Sequence, residues 1–191
     1  GDVYKRQMVH GEGRPTGALL TSDPRLARIS FTGSMPTARE IAEVAARNLV
    51  PCSLELGGKS PFIVLEDADI DLAARTGALM YRNATQVCLA GTRFLVHDNI
   101  REAFTEKMRE HVALLQIGNP QLESTEVGPL IHPRQLEKAE AYVKRAINAG
   151  AEVLWGGSRH AAGELYFQPT MLSGVQQDAE IVQEEVFGPV L

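Results

Sequence analysis

Ser53-Leu54-Glu55-Leu56-Gly57-Gly58-Lys59-Ser60-Pro61-Phe62-Ile63-Val64-Leu65 is the stretch on which the fold turns. Ser53–Leu56 reads as a short strand running into two glycines, and Phe62–Leu65 as a continuous apolar strand. Downstream, Asp69 offers an N-cap to a helix through Leu72, Ala73, Leu79 and Met80. A loop of small and polar residues, Asn83–Gly91, then leads to a strand at Arg93–Val96. Upstream, Ala27–Phe31 reads as a strand, and Thr32-Gly33-Ser34 turns into a helix that starts near Pro36, a residue favoured in the first helical turn. Ile41, Val44, Ala45 and Leu49 recur on that helix at helical spacing until Pro51 breaks it. Strands alternating with helices predict an α/β architecture with a mainly parallel sheet.

Farther out, Ile100, Phe104, Met108, Val112 and Leu115 form one face of a long helix that Gly118-Asn119-Pro120 ends. A second long helix is predicted over Pro133–Ala149, closing on Gly150. Glu152–Trp155 reads as a strand, and another is expected near Phe167. Gly1–Gln7 is polar and without period, and is set aside as an extraneous leader. Phe187–Leu191 reads as a turn entering a strand just where the sequence stops, so the chain is expected to be an internal piece of something longer.

Composition narrows the function classes. The 191 residues are 44% hydrophobic and 23% charged, which excludes whole-chain disorder and coiled coil. Nineteen basic against twenty-four acidic residues give a net charge of −5, which argues against a nucleic-acid platform with its basic face. Two cysteines make no disulfide framework, so a reducing compartment is the simpler setting. No apolar run approaches the roughly 18 residues of a membrane span, and the five histidines are scattered without metal-ligand spacing.

Four pieces can carry chemistry. Cys88 lies in the small-residue loop between a helix and a strand; a thiolate there is a strong nucleophile, and free backbone N–H groups could hold an oxyanion. The plain alternative is a cysteine serving as a small buried hydrophobe, the reading that Cys52 keeps. Glu55, on an apolar strand before two glycines, is expected to be partly desolvated and so suited to general-base work; alternatively it faces solvent on an alternating strand. Gly33-Ser34 follows a strand and opens a helix, a place for phosphate or simply for a helix cap. In Glu184-Glu185-Val186-Phe187-Gly188-Pro189 a carboxylate could accept hydrogen bonds from ribose and a phenyl ring could pack on a flat heterocycle; otherwise this is an acidic turn.

In this order the pieces resemble the aldehyde dehydrogenase superfamily. Leu54-Glu55-Leu56-Gly57-Gly58-Lys59-Ser60-Pro61 is similar to the family's glutamate signature, and Gln86-Val87-Cys88 with Ala90-Gly91 and Arg93 to its cysteine signature. Ile29-Ser30-Phe31-Thr32-Gly33-Ser34 resembles the dinucleotide-contacting segment. Gly118-Asn119-Pro120, Val127-Gly128-Pro129-Leu130-Ile131, Gly156-Gly157 and Phe167-Gln168-Pro169-Thr170 follow in family order, and the likeness runs from about Val9 to Leu191.

The resemblance implies Cys88 as nucleophile and Glu55 as the base that activates the deacylating water. It implies Gly33 and Ser34 beside the cofactor pyrophosphate, the Leu56 backbone near the nicotinamide amide, Glu185 on the nicotinamide ribose and Phe187 flanking the nicotinamide. The fold implied is an incomplete aldehyde-dehydrogenase-like one. Residues 8–56 would be the tail of a Rossmann-like dinucleotide-binding domain and residues 57–191 a truncated catalytic domain. Family members are roughly two to three times this length, work with NAD or NADP, and act on small aldehydes or semialdehydes. A cytoplasmic homo-oligomer is implied for the full-length protein, with neither nucleic acid nor membrane as partner. A CoA-acylating member and a non-catalytic relative are the alternatives; Glu55 argues against the first, and the pair Cys88 and Glu55 against the second. Three positions depart from the family pattern: Thr85 stands where glycine is usual, and Met35 and Ala38 replace the usual threonine and glycine. A β-branched residue tolerates positive φ poorly, so Thr85 bears on the geometry of the loop near Cys88.

Overall fold

The computed structural model describes residues 5–191, which divide into two compact units with the boundary between Gly57 and Gly58. In the first unit a single π-helical turn at Gly13–Gly17 and the short helix α1 (Ala18–Thr21) precede β1 (Ile29–Gly33), α2 (Met35–Arg47) and β2 (Cys52–Leu56). β1 and β2 are parallel neighbours joined through α2, with Thr32 opposite Glu55 and Gly33 opposite Leu56. Ile29, Ala45 and Val50 form a small core against Leu26, Ile41 and Cys52. α2 ends at Arg47, before the predicted break, because Leu49 turns into the left-handed region at φ +55°.

The second unit contains β3 (Ser60–Val64), α3 (Ile70–Ala78), a 3-10 segment at Leu79–Thr85 and β4 (Gly91–Val96). The helices α4 (Arg101–Ala113) and α5 (Pro133–Asn148), the strands β5 (Glu152–Trp155) and β6 (Met171–Ser173), and the short helix α6 (Glu180–Gln183) follow. Asp69 caps α3 as its sequence position predicts, accepting a hydrogen bond from the Leu72 N–H at 3.0 Å. β3 and β4 are parallel, with Phe62 opposite Phe94 and Val64 opposite Val96. This is the direct-neighbour pairing that the intervening α3 allows.

α3 and α4 pack together beside this pair. Gly77 permits the close approach: a β-carbon there would lie 2.9 Å from the Phe94 ring. The rings of Phe62 and Phe94 stack at 4.7 Å, and Phe94 meets Phe104 at 6.0 Å. Phe104, Met108, Val127, Leu130 and Leu136 are almost wholly buried in one continuous core. Tyr81 is also fully buried, its hydroxyl donating to the Thr170 carbonyl at 2.8 Å and accepting from the Trp155 indole at 3.2 Å.

Phe104→Ala is therefore expected to lower the unfolding free energy by about 3–5 kcal/mol, the usual cost of emptying a buried phenyl site. Urea titration followed by circular dichroism checks it, and an unchanged midpoint would mean that the ring is not buried.

The α/β alternation agrees with the sequence reading, but among the described residues the strands form three two-stranded sheets rather than one. β5 and β6 are antiparallel. The strand expected near Phe167 is not formed. Phe167 makes one isolated bridge with Arg159, and pairing cannot extend far because Pro169 has no N–H to donate. α4 stops at Ala113, earlier than expected, and Ile117 instead makes an isolated parallel bridge with Val127. α5 ends one residue before the predicted Ala149, which serves as its C-cap, and Gly150 follows the cap at φ +98°, a conformation that glycine adopts without strain. Among the described residues no helix is long and apolar enough to cross a membrane.

Candidate active site

The cysteine loop is built on unusual backbone. Asn83, Ala84 and Thr85 follow one another in the left-handed region, at φ +54°, +52° and +56°. The chain then makes a turn closed by the Ala90 N–H donating to the Val87 carbonyl at 3.1 Å, with Cys88 at its exposed tip. Gln86 pins the loop. Its side-chain amide donates to the carbonyls of Asn83 at 3.0 Å and Pro129 at 3.2 Å, and its side-chain oxygen accepts from the Ile131 N–H at 2.9 Å. Among the described residues the Cys88 N–H has no hydrogen-bond partner. The arrangement thus presents an accessible thiol beside an unengaged backbone donor, the two elements of covalent attack on a carbonyl. Cys88 is not the buried hydrophobe of the plain alternative.

Thr85 is 2% exposed, and its Oγ1 has no partner among the described residues. A β-branched residue at positive φ carries about 1–2 kcal/mol of strain. Thr85→Gly is expected to raise the unfolding free energy by about 1 kcal/mol, since it relieves the strain and removes the unpaired hydroxyl. Comparison of urea midpoints checks this, and a lower midpoint would show that the threonine is favourably held.

The segment after α6 comes to the same place. A cavity of about 10 Å³ is lined by Thr85, Val87 and Thr92 of the cysteine region, by Gly58 and Lys59, and by the Glu185–Gly188 segment. Phe187, half-buried, is held at φ +56°. Burial pushes the Lys59 ammonium down to about 8, with Glu185 opposing the shift and Arg93 reinforcing it. α5 supports this segment with side chains that sequence reasoning did not single out. Gln135 Nε2 donates to the carbonyls of Val186 at 2.7 Å and Phe187 at 2.8 Å, and Lys138 Nζ donates to that of Glu185 at 2.8 Å. Their three-residue spacing on a predicted helix was the available signal.

In the first unit the parallel register places Gly33 beside Leu56 at the C-terminal ends of β1 and β2, the edge at which open α/β sheets bind ligands. Ser34 stands at the N-cap of α2 without capping it; its hydroxyl lies 3.1 Å from that of Thr37 instead. The first N–H groups of α2 are therefore left without a side-chain cap, open to an anion. Glu55 is exposed, not desolvated as expected, because β1 is the sole strand paired with β2 among the described residues and neither face of β2 is fully covered. The structure thus brings Gly33, Ser34, Glu55 and Leu56 together in one unit, and the Cys88 loop, Glu185 and Phe187 together in the other. Among the described residues no group of three His, Cys, Asp or Glu side chains could hold a metal ion.

Comparison with known proteins gives this geometry a family. A curated protein of Staphylococcus saprophyticus, provisionally named an aldehyde dehydrogenase, is 43% identical over 188 residues, 96% of this chain and 40% of its own length. The crystal structure of an NADP-dependent enzyme of E. coli superposes with a TM-score of 0.90 at 40% identity, covering 95% of this chain and 38% of that one. Betaine aldehyde dehydrogenase of Staphylococcus aureus, in complex with NAD+, does so with a TM-score of 0.91 at 36% identity, covering 95% and 37%. The chain thus spans about two fifths of the length of the relatives it matches. The model of the aldehyde dehydrogenase family matches residues 6–191, nearly everything described above, and the chain belongs to that family.

Proposed function

We propose that the full-length protein carrying this segment oxidises an aldehyde to a carboxylic acid with NAD+ or NADP+, through a covalent intermediate on Cys88. The observation that carries the reading is the small cavity shared by the cysteine loop, Gly58-Lys59 and the Glu185–Gly188 segment, three stretches remote in sequence. The related structures with NAD+ or NADP dependence support the cofactor class.

Residues 8–56 would then belong to the dinucleotide-binding domain and residues 57–191 to the catalytic domain. Gly33, Ser34 and the uncapped start of α2 would hold the pyrophosphate, and the Leu56 backbone would meet the nicotinamide amide. Glu185 would take the nicotinamide ribose and Phe187 would flank the ring. When bound, the cofactor supplies a hydride acceptor, which carries the carbon attached to Cys88 from the aldehyde to the acid oxidation level.

The chain's own residues do the rest. Cys88, its proton released to solvent, adds as a thiolate to the aldehyde carbon, and the carbonyl electron pair moves to oxygen. The free Cys88 N–H donates to that oxyanion. After oxidation the acyl group is held as a thioester. Glu55 then takes a proton from water as the water attacks the acyl carbon. The carbon–sulfur bond breaks, releasing the acid and the Cys88 thiolate.

The test is product analysis with the full-length protein, an aliphatic aldehyde, NAD+ or NADP+, and coenzyme A. Free acid as the product is the expected result. An acyl-CoA product would establish acyl transfer to a thiol instead, and no reduced cofactor with any of a panel of aldehydes and semialdehydes would overturn the enzyme reading.

A further inference from the structure

α5 holds the segment that carries Glu185 along a single polar stripe. Gln135, Lys138, Tyr142 and Arg145 recur at steps of three and four residues, so they share one face of the helix. Each reaches a different point between Glu180 and Phe187. The first two hold backbone carbonyls, whereas Tyr142 makes a side-chain link: its hydroxyl donates to Glu184 Oε2 at 2.5 Å. Tyr142 is 7% exposed, with the Arg145 guanidinium 4.6 Å and the Lys138 ammonium 5.6 Å from the centre of its ring. Arg145 in turn makes a two-point ion pair with Glu180, at 2.6 and 3.0 Å, at the start of the same segment. Burial and the Glu184 carboxylate push the phenol up to about 12, so it keeps its proton and its donor role at neutral pH.

Glu184 is the residue directly before Glu185, and Phe187 lies two further on at a φ that an aromatic residue adopts only when its surroundings impose it. From this geometry we infer that Tyr142 is a positioning residue for cofactor binding: by holding Glu184 it fixes the backbone from which Glu185 and Phe187 reach the nicotinamide riboside. The inference rests on the cofactor role proposed above for Glu185 and Phe187. A hydrogen bond to a charged acceptor is among the stronger ones, but Glu184 is itself exposed, which moderates the effect.

The test measures NAD+ and NADP+ dissociation constants and the separate KM values of cofactor and aldehyde in the full-length protein. Tyr142→Phe is expected to weaken binding of the preferred cofactor about tenfold, with its KM rising in parallel and the aldehyde KM within about twofold. Glu184→Ala, at an exposed position, tests the same link without disturbing the core. It is expected to match Tyr142→Phe, and the double variant to be no worse than either single one. Arg159→Ala serves as control, because it removes the ion pair that Arg159, in the loop after β5, makes with Glu140 of α5 away from this segment, and it is expected to leave cofactor affinity unchanged. Affinity within twofold of wild type in both Tyr142→Phe and Glu184→Ala, or an equal loss in Arg159→Ala, would overturn the inference alone. A wild-type protein that binds neither cofactor would overturn the parent reading and this inference with it.

Discussion

Cys88→Ala in the full-length protein is expected to lower aldehyde oxidation at least about a thousandfold while leaving cofactor affinity within about twofold. The size of the effect follows from the chemistry. Without the sulfur there is no covalent adduct, and no other thiol lies in the loop; Cys52, the second cysteine, sits on β2 in the other unit. The backbone supports the selectivity of the effect. Cys88 is exposed at the tip of a turn whose position is fixed by Gln86 and by the left-handed residues before it, so trimming its side chain leaves the loop in place. Steady-state production of reduced cofactor measures the loss, and a titration of cofactor fluorescence measures the affinity. An activity loss of less than tenfold would mean that Cys88 is not the nucleophile.

Glu55→Gln is expected to separate the two halves of the reaction. Steady-state turnover should fall by about a hundred- to ten-thousandfold, the usual share of a general base. A rapid burst of about one reduced cofactor per active site should persist, because formation of the thioester does not require the carboxylate. Rapid mixing with absorbance at the reduced nicotinamide band reads both phases. Glutamine keeps the size and polarity of an exposed side chain on β2, so the fold is not at stake. Loss of the burst together with turnover would place Glu55 in the first half of the reaction, and unchanged turnover would remove it from the mechanism.

Much of this was legible in the residues themselves, and the exceptions have physical causes. The strand before Gly57-Gly58, the Asp69 cap and the Pro133-to-Gly150 helix were readable because periodicity and terminal residues are local signals. Phe167 looked like a strand residue because it is apolar and aromatic, but whether it pairs depends on Arg159 and Pro169, which local pattern does not weigh. Glu55 looked desolvated from its apolar neighbours, yet Leu54 beside it is itself 37% exposed: burial belongs to what covers a strand, not to the strand. The Gln135–Lys138–Tyr142 stripe is not legible in hydrophobic periodicity, which identifies the core side of a helix and says nothing of which distant carbonyls and carboxylates the other side meets. Thr85 stood out at once as a departure from the glycine usual in the family, and the structure places it in just the conformation that favours glycine.

In the reaction proposed above, the sulfur of Cys88 carries the acyl group that Glu55 helps to release. Mass spectrometry of the Glu55→Gln full-length protein, quenched in acid after mixing with an aldehyde and NAD+ or NADP+, detects that acyl group on the sulfur. The expected result is a stoichiometric acyl mass addition on the peptide that contains Cys88, absent without cofactor and absent from wild type at the same time point. An unmodified Cys88 peptide, or an acyl group on any other residue, would contradict it.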